Sequence, residues 1–392
     1  MRTILAPDRV FTALDDEARP SYVVVRDDCI EAVTETRPRF DNARFVALPG
    51  TTLVPGLIDA HTHLSILPSR GNQIAQLCLP ADVQLGVARA NVMSDLLAGV
   101  TTLRVMGQEL DVDFTLADEI RTGATLGPDL VSAGVPLAKR GAHGYAITSV
   151  ENEEQIQRLI ERNIARGAGV VKIFVSGGVA TAGVAHDECP FTDAEIRAAA
   201  AITHRHGMKL AAHAHGGEGA WRAIANGVDT IEHAALFDDT LVEALVANNL
   251  MAVATFSILE HPAGIECGDA GSPAVLRKVQ EAKERVQLAW RAIIRAGARL
   301  TVGTDSMHGC LAYDIARLVD FGATPAQALR AATRGGAEAC GLIDRGVLEP
   351  SRRADLVAVQ GNPLEDIRAI GSPMFVMKAG KIVHCVSRPS AN

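Results

Sequence analysis

The chain has 392 residues, 48% of them hydrophobic and 21% charged, which is enough apolar material for a large core. Its net charge of −8 is spread without acidic or basic blocks, which argues against nucleic acid or an anionic membrane as the main partner. Aromatic residues make up only 4%, which argues against base stacking, and no apolar run is long enough for a membrane span.

The cysteines and the N-terminus bear on location. Seven cysteines are scattered along the chain and no C-x-x-C occurs, which predicts free thiols in a reducing compartment. The segment MRTILAPDRVFTALDD lacks the apolar stretch of a signal peptide. We therefore expect a cytoplasmic protein, and the sequence leaves open whether it forms a homo-oligomer.

Short strand-like runs occupy both ends of the chain. SYVVV, CIEAV and ARFVALPG lie within residues 1–50, whereas ADLVAVQ, MFVMKAG and KIVHCV lie within residues 350–392. We expect the two ends to build one small β-sandwich domain. Residues 51–349 would then form a separate domain between them.

Eight apolar runs alternate with helical segments in this middle part. In chain order they are TTLVPGLIDA, GVTTLRVMG, DLVSAGVPL, GVVKIFVSGG, MKLAAHAHG, GVDTIEHA, LMAVATFS and RLTVGTDS. Among the helices, FTDAEIRAA carries a capping box made by Thr192 and Glu195. Apolar strands alternating with helices indicate a parallel sheet covered on both faces, and eight units predict an α/β fold, a (β/α)8 TIM barrel. An open doubly wound sheet is the alternative, disfavoured because no G-x-G-x-x-G turn follows the first strand.

Polar residues cluster at the ends of these predicted strands, where a barrel builds its active site. Strand one ends in DAHTH, strand five in HAH, strand six in EH and strand eight in TDS, while a lysine lies in strand four and a histidine follows strand three. The residues, in chain order, are His61, His63, His143, Lys172, His213, His215, His233 and Asp305.

Several of these residues fit a metal site. His61 and His63 are two apart, so both side chains point the same way on a strand. Together with His213, His233 and Asp305 they offer imidazole and carboxylate ligands, which suit Zn, Mn, Fe or Co better than Ca or Mg. A hydrogen-bonded core histidine is the alternative for each of the four.

Other residues on the same side of the barrel have less defined roles. We expect His143 to orient or polarise a substrate carbonyl, and His215 to contact substrate or to lie behind the ligands. His186, His261 and His308, in the loops after strands four, seven and eight, are further candidates for substrate contact.

Lys172 requires its own explanation, because an ammonium in a strand covered on both faces is costly. A buried ion pair with Asp305 or Glu232 is one explanation.

The motifs PGLIDAHTHL, VVKIFVSGG, LAAHAHG, DTIEHA, VGTDS and ALRAATRGGAEACGLIDRGVLEPSRRADLVAV resemble the amidohydrolase superfamily over nearly the whole chain. The strand-four lysine with SGG behind it, followed by HAHG, is similar to the binuclear branch, which contains Xaa-Pro dipeptidases (prolidases) and ochratoxinase-like amidases. Imidazolonepropionase is a more distant relative. The sequence departs from the family in EPSRRADL, where a glycine usually precedes the basic residue.

The resemblance implies a chemistry for these residues. Lys172 would be N-carboxylated and would bridge two divalent metal ions, with zinc the leading choice, together with a hydroxide. His61, His63 and Asp305 would bind one ion, and His213 and His233 the other. Asp305 would also pass a proton to the leaving amine.

The implied activity is hydrolysis of an amide C–N bond in a small substrate, such as a dipeptide, an N-acyl amino acid or a related carboxamide. A deaminase or cyclic-amide hydrolase on the same scaffold is the alternative, although many such relatives use one metal and lack the strand-four lysine. A non-catalytic relative is a third, and the complete set of six ligands argues against it.

Two long, Gly-rich loops, ATAGVAHDECP and ILEHPAGIECGDAGSP, are expected to form a lid over this site. They contain no Arg or Lys. A cation for a substrate carboxylate would therefore come from elsewhere, with Arg70, Arg104 and Arg140 as the candidates.

Overall fold

The structure, a computed structural model, describes residues 1–386. Its strands are β1 Arg2–Phe11, β2 Ala18–Arg19, β3 Tyr22–Arg26, β4 Cys29–Thr34, β5 Ala43–Pro55, β6 Leu57–Thr62, β7 Val100–Val105, β8 Asp129–Ser132, β9 Val170–Phe174, β10 Lys209–Ala214, β11 Thr230–His233, β12 Met251–Ala254, β13 Arg299–Val302, β14 Leu356–Gln360, β15 Pro373–Lys378 and β16 Lys381–Cys385.

Helices fill most of the connections between the middle strands. They are α1 Gln73–Leu77, α2 Ala81–Leu97, α3 Val112–Thr122, α4 Glu153–Ala165, α5 Asp193–Arg205, α6 Gly217–Ala225, α7 Asp239–Ala247, α8 Ser257–Glu260, α9 Ile265–Gly268, α10 Pro273–Arg295, α11 Leu311–Asp320, α12 Pro325–Arg330 and α13 Gly336–Ala339. Short 3-10 turns occupy Pro68–Arg70 and Ile367–Gly371, and a π turn occupies Ala331–Gly335.

The eight middle strands, β6 to β13, are parallel and follow one another in chain order, as the predicted barrel requires. Strands β6 to β8 form one ladder and β9 to β13 a second. A parallel bridge between Leu137 and Ile173 joins the two ladders on one side. On the other side the amides of Thr304 and Asp305 donate to the His61 carbonyl at 3.0 and 2.8 Å.

The first predicted strand, TTLVPGLIDA, is divided between two sheets. Its first half ends β5 in the terminal sheet and its second half begins β6 in the barrel, with Gly56 between them. A Cβ on Gly56 would lie 2.2 Å from Thr101 Oγ1, so only glycine fits this crossing. The division of the chain into domains at residues 50 and 350 stays a prediction.

The two ends of the chain form one sheet with the strand order β16-β15-β14-β5-β1-β3-β4, and β2 pairs with β1. Strands β1 and β5 are parallel, and the other paired strands of this sheet are antiparallel. Val23 of β3, Leu53 of β5 and Phe375 of β15 share one hydrophobic core although their strands are far apart in the sheet. The sheet therefore curves around its own core, as a sandwich does.

Several local predictions hold. Thr192 and Glu195 form the capping box at the start of α5, with both reciprocal hydrogen bonds present. All seven cysteines are free thiols. None of the helices within residues 1–386 combines the length and apolar character needed to cross a bilayer. A cytoplasmic location stays a prediction.

Candidate metal and active site

The residues predicted from the strand ends meet at one end of the barrel. All except Lys172 line one pocket, which we call the central pocket. Lys172 lies deeper in the barrel. It pairs with Ala211 across β9 and β10, two residues before the pair formed by Phe174 and His213. The structure thus brings together all eight residues of the predicted set.

Asp305 lies between His61, in β6, and His63, the residue after β6. Its Oδ1 is 3.5 Å from His61 Nε2 and 3.4 Å from His63 Nε2. The other ring nitrogen of His63 donates to the Gly107 carbonyl at 3.0 Å. Since Nδ1 of His63 carries the proton, its Nε2 presents a lone pair toward Asp305, as a metal ligand does.

His233 reaches the pocket through an unusual backbone. Glu232 and His233 are consecutive, so on a regular strand their side chains would point to opposite faces. His233 has φ +75° and Ala234 has φ +49°, and this left-handed turn ends β11. Asp305 and Ser306 turn in the same way, with φ +49° and +82°. Both turns bring a residue at the carboxyl end of a strand, His233 or Asp305, into the lining of the central pocket.

Ligand atoms of His61, His233 and Asp305 lie within 4.8 Å of one another, close enough for one metal ion. His233 Nδ1 is hydrogen-bonded to Thr255 Oγ1 at 2.7 Å. The resemblance grouped His61 and Asp305 with His63 instead, and the division of the ligands between two ions stays a prediction.

Buried nitrogens without partners converge beside this cluster. Lys172 Nζ, His61 Nε2 and His213 Nε2 are buried and have no hydrogen-bond partner within residues 1–386. The ion pair with Asp305 or Glu232, the alternative explanation for the burial of Lys172, is not formed; the Lys172 ammonium instead lies 4.9 Å from the centre of the Phe174 ring. Leaving three buried polar atoms unpaired is costly, and imidazole and carboxylate groups suit a divalent transition metal. The residues therefore fit the metal centre that the resemblance implies.

The protonation of the site also suits metal binding. Burial lowers the pKa of His63 to about 4 and holds the pKa values of His61, His213 and His233 well below the ordinary value. Neutral imidazoles are the form that binds metals. Burial likewise lowers the pKa of Lys172, to about 8, which increases the share of neutral amine at neutral pH.

Behind His61 lies a buried pair of opposite charges. Glu232 Oε2 accepts a hydrogen bond from His61 Nδ1 at 2.6 Å, which leaves His61 Nε2 free of a proton. The Arg104 guanidinium donates to both Glu232 oxygens at 2.9 and 3.0 Å, and its Nε donates to the Ala60 carbonyl. Sequence reasoning offered Glu232 only as a partner for Lys172, so it missed this support.

His143 and His215 complete the wall beside His213. The ring centres of His143 and His213 are 4.4 Å apart, and those of His215 and His213 are 4.9 Å apart. His143 Nδ1 is hydrogen-bonded to Thr181 Oγ1 at 2.7 Å. A Cβ on Gly178 would lie 2.1 Å from His143 Nε2, so the second glycine of SGG makes room for this ring. Their roles toward a substrate stay predictions.

The proposed arginine clamp is not found. Arg104 is fully buried and committed to Glu232, so the expectation that it holds a substrate carboxylate is wrong. Arg70 and Arg140 are exposed and lie outside the lining of the central pocket.

The three further histidine candidates also lie outside that lining. His308 is hydrogen-bonded to Asp95 and to the His63 carbonyl, so it supports the backbone just after β6. His186 lies next to His215, with ring centres 5.7 Å apart.

Three segments surround the opening of the pocket. Two are the loops expected to form a lid, which contribute Ala180, Ile258 and Ile265. The third, after β6, was not foreseen; it contributes Ile66, Gln73, Ile74 and Leu77. No sequence signal marked this segment, because its helix α1 has only five residues and therefore no readable periodicity.

Comparisons with known proteins agree with this geometry. The model of the Amidohydrolase family matches residues 52–383. The chain is 27% identical over 368 residues to ochratoxinase of Aspergillus niger, covering 84% of this chain and 75% of that protein. It is 26% identical to imidazolonepropionase of Deinococcus deserti, covering 92% of this chain and 89% of that protein. A solved structure of a Xaa-Pro dipeptidase with bound methionine superposes with a TM-score of 0.88 at 25% identity, covering 98% of this chain and all of that one.

A barrel that gathers histidines, an aspartate and a buried lysine at its carboxyl end defines a hydrolase that acts on carbon–nitrogen bonds. The chain belongs to the amidohydrolase family. Its predicted likeness to ochratoxinase and to Xaa-Pro dipeptidases is confirmed, as is the α/β fold of a TIM barrel with a β domain built from both termini.

Proposed function

We propose that this protein is a metal-dependent amidohydrolase that cleaves an amide C–N bond of a small substrate into a carboxylic acid and an amine. In this proposal two divalent ions bind to His61, His63, His213, His233 and Asp305, and an N-carboxylated Lys172 bridges them. The observation that carries the proposal is the set of buried nitrogens of His61, Lys172 and His213 that have no hydrogen-bond partner within residues 1–386.

Carboxylation would resolve the burial of Lys172. Its side chain has no hydrogen-bond partner in the part of the chain that the structure describes, and burial lowers its pKa to about 8, so neutral amine is available to react with carbon dioxide. Formation of the carbamate exchanges an isolated buried ammonium for an anion among metal ligands.

The ions would polarise the substrate carbonyl and lower the pKa of an attacking water. Asp305 is the group we assign to proton transfer, because it lies beside His61 and His63 and burial raises the pKa of its carboxyl to about 6. It would accept a proton from the attacking water and deliver it to the leaving nitrogen. His143, in the wall beside His213, would orient the carbonyl.

Replacement of Lys172 tests the bridge. We expect Lys172→Ala to lose one or both metal ions and the amidase activity, because Lys172 is the one buried lysine within residues 1–386. Metal content per chain is measured by plasma emission on purified protein, beside turnover of a panel of dipeptides, N-acyl amino acids and lactams.

The matched control is Lys209→Ala. Lys209 begins the neighbouring strand β10 and pairs with Asp229 at 2.9 Å, away from the central pocket, so metal content and activity should be unchanged. A Lys172→Ala protein that retains two ions per chain and full turnover contradicts the bridging role.

One alternative has an observation of its own. The likeness to imidazolonepropionase extends over 92% of this chain, which favours a deaminase or a cyclic-amide hydrolase on the same site. The products distinguish these activities. The proposed amidase releases an acid and an amine, a deaminase releases ammonia, and a cyclic-amide hydrolase opens a ring without releasing a separate amine. A single ion per chain with ammonia release would support the deaminase.

A further inference from the structure

The wall of the central pocket is apolar apart from the predicted ligands and their neighbours. Three segments supply it: Ile66, Ile74 and Leu77 after β6, Val179 after β9, and Ile258 and Ile265 in and after α8. Among the described residues that line it, Asp305 is the one acid, and none is Lys or Arg.

Two lysines on elements beside the pocket are already partnered within the protein. Lys278 of α10 donates to the carbonyls of Gly178, Thr181 and Val184. Lys139 pairs with Glu195 in a contact that is largely buried. A substrate carboxylate entering the pocket would therefore lose its water without gaining a charged partner from these side chains, which costs free energy.

One polar group in the apolar wall is unused. Gln73 lines the pocket from α1, and its Nε2 is buried without a hydrogen-bond partner within residues 1–386. Gln76, one turn later, differs: it donates to the carbonyls of Leu67 and Gly71 and holds its own segment. A buried amide donor with no partner in the protein is a place for a ligand acceptor.

We infer that the pocket selects an uncharged amide: the apolar part of the substrate packs on the wall, and a neutral acceptor receives a hydrogen bond from Gln73. This inference rests on the proposed amidohydrolase function and narrows it. Among the substrates that the family resemblance suggests, it favours neutral carboxamides over dipeptides and N-acyl amino acids, which carry a free carboxylate. The bond broken is still the amide C–N bond, and water supplies the hydroxyl of the acid and the proton of the amine.

A pair of substrates that differ in one charge tests the selection. N-hexanoylaniline is neutral, and N-hexanoyl-4-aminobenzoate carries a carboxylate on the same ring, far from the bond that is cleaved. With metal-loaded protein we expect kcat/KM to be at least about tenfold higher for the neutral member, the ratio expected for one unpaired polar group. Equal or faster hydrolysis of the charged member overturns the inference and leaves the proposed function standing.

If neither substrate of the pair is hydrolysed, their binding still separates the inferred selection of an uncharged amide from the proposed amidase function. Calorimetry on metal-loaded protein then gives the dissociation constants. Tighter binding of the neutral member supports the inference while the amidase proposal fails for this pair. Equal binding, or none, overturns the inference.

Two substitutions at one position test Gln73 itself. Gln73→Leu removes the donor and should raise KM for the neutral substrate by about tenfold with kcat retained. Gln73→Lys adds a cation and should shift the neutral-to-charged ratio toward the charged substrate by about tenfold or more. Gln157→Leu, on the exposed face of α4, is the matched control and should change neither value.

Metal content and circular dichroism confirm that each variant is folded and loaded. A Gln73→Lys protein that holds two ions but has an unchanged ratio of kcat/KM for the neutral and charged substrates would contradict the assignment of Gln73 as a substrate contact. A lysine at this position would then not face the substrate.

Discussion

Glu232 and Arg104 are the residues that hold His61 in place, although neither lines the central pocket. Both are fully buried, and such charges are tolerated only when they are paired and hydrogen-bonded. Arg104 meets this condition through Glu232, Thr230 and the Ala60 carbonyl. The carboxylate then fixes the proton of His61 on Nδ1, so the ligand nitrogen is defined before any metal binds.

We expect Glu232→Gln to weaken metal binding by roughly 10–100-fold, the usual effect of losing the partner of a ligand histidine. Glutamine keeps the shape but not the charge that orients the ring and balances Arg104. Affinity is measured by competition with a chromophoric chelator. Glu195→Gln, at a carboxylate paired with Lys139 outside the site, should bind metal normally. Normal affinity in Glu232→Gln would show that His61 needs no charged partner.

The positions of the candidate ligands could be predicted from sequence, but their supports could not. Histidines at the ends of several apolar runs can be recognised as candidate ligands, because the carboxyl ends of parallel strands lie at one edge of the sheet. Glu232 is adjacent to His233, yet its partners His61 and Arg104 are 171 and 128 residues away. A buried arginine in a strand looks the same in sequence whether it faces a substrate or a carboxylate.

At the scale of elements, α10 fixes the loop after β9. Lys278 Nζ donates to the backbone carbonyls of Gly178, Thr181 and Val184, which closes this Gly-rich loop against the helix. Another lysine of α10, Lys283, pairs with Glu266 of the loop after β12 at 2.5 Å. One helix therefore holds the two loops that were predicted to form a lid.

Lys278→Met should release the first loop while keeping the apolar stem of the side chain. Hydrogen bonds to a charged group contribute about 1.5–3 kcal/mol each, so the loop should open more often. We expect faster proteolysis within residues 179–190 and a KM higher by about tenfold, the scale of the weaker of such bonds, with kcat nearly unchanged. Arg277→Met, at the exposed neighbouring position, is the control. Equal cleavage of the two variants would show that the loop is held by other contacts.

The long elements were predictable and the short ones were not. Apolar runs predicted each of the eight barrel strands, and the capping box of Thr192 and Glu195 predicted the start of α5. Helices α1, α8 and α9 have only four or five residues, too few for a periodic pattern. These short helices carry much of the pocket wall, so its apolar character could not be foreseen.

At the scale of the whole molecule, the barrel and the terminal sheet share a core. Phe11 of β1, Val54 of β5 and Val357 of β14 pack in the same hydrophobic cluster as Val100 and Leu103 of β7. Strand patterns could predict two groups of elements, but not which of their faces meet. Because the core is continuous, we expect the two parts to unfold together.

Asp129 of β8 is the centre of an ion-pair cluster that joins the barrel to the terminal sheet, which we call the joint. Its carboxylate lies 2.7 Å from Lys378 of β15, 2.8 Å from Arg353 and 2.9 Å from Arg345. Burial raises the pKa of Asp129, but the three cations outweigh this and the net pKa is lowered. A lowered pKa in the folded state contributes stability that is present above the unfolded pKa and lost as the pH falls through the folded value.

We expect Asp129→Asn to reduce the free energy of unfolding by about 3 kcal/mol, because three cations at the joint lose their shared counter-charge. The loss should be equal at about pH 5.5 and pH 7.5, both above the ordinary aspartate pKa, and should shrink at lower pH. Urea unfolding at constant metal content measures it. Asp118→Asn, in an exposed pair with Arg121, should change stability by less than about 0.5 kcal/mol. A loss no larger than that of Asp118→Asn would mean that the shared hydrophobic core alone joins the sheet to the barrel.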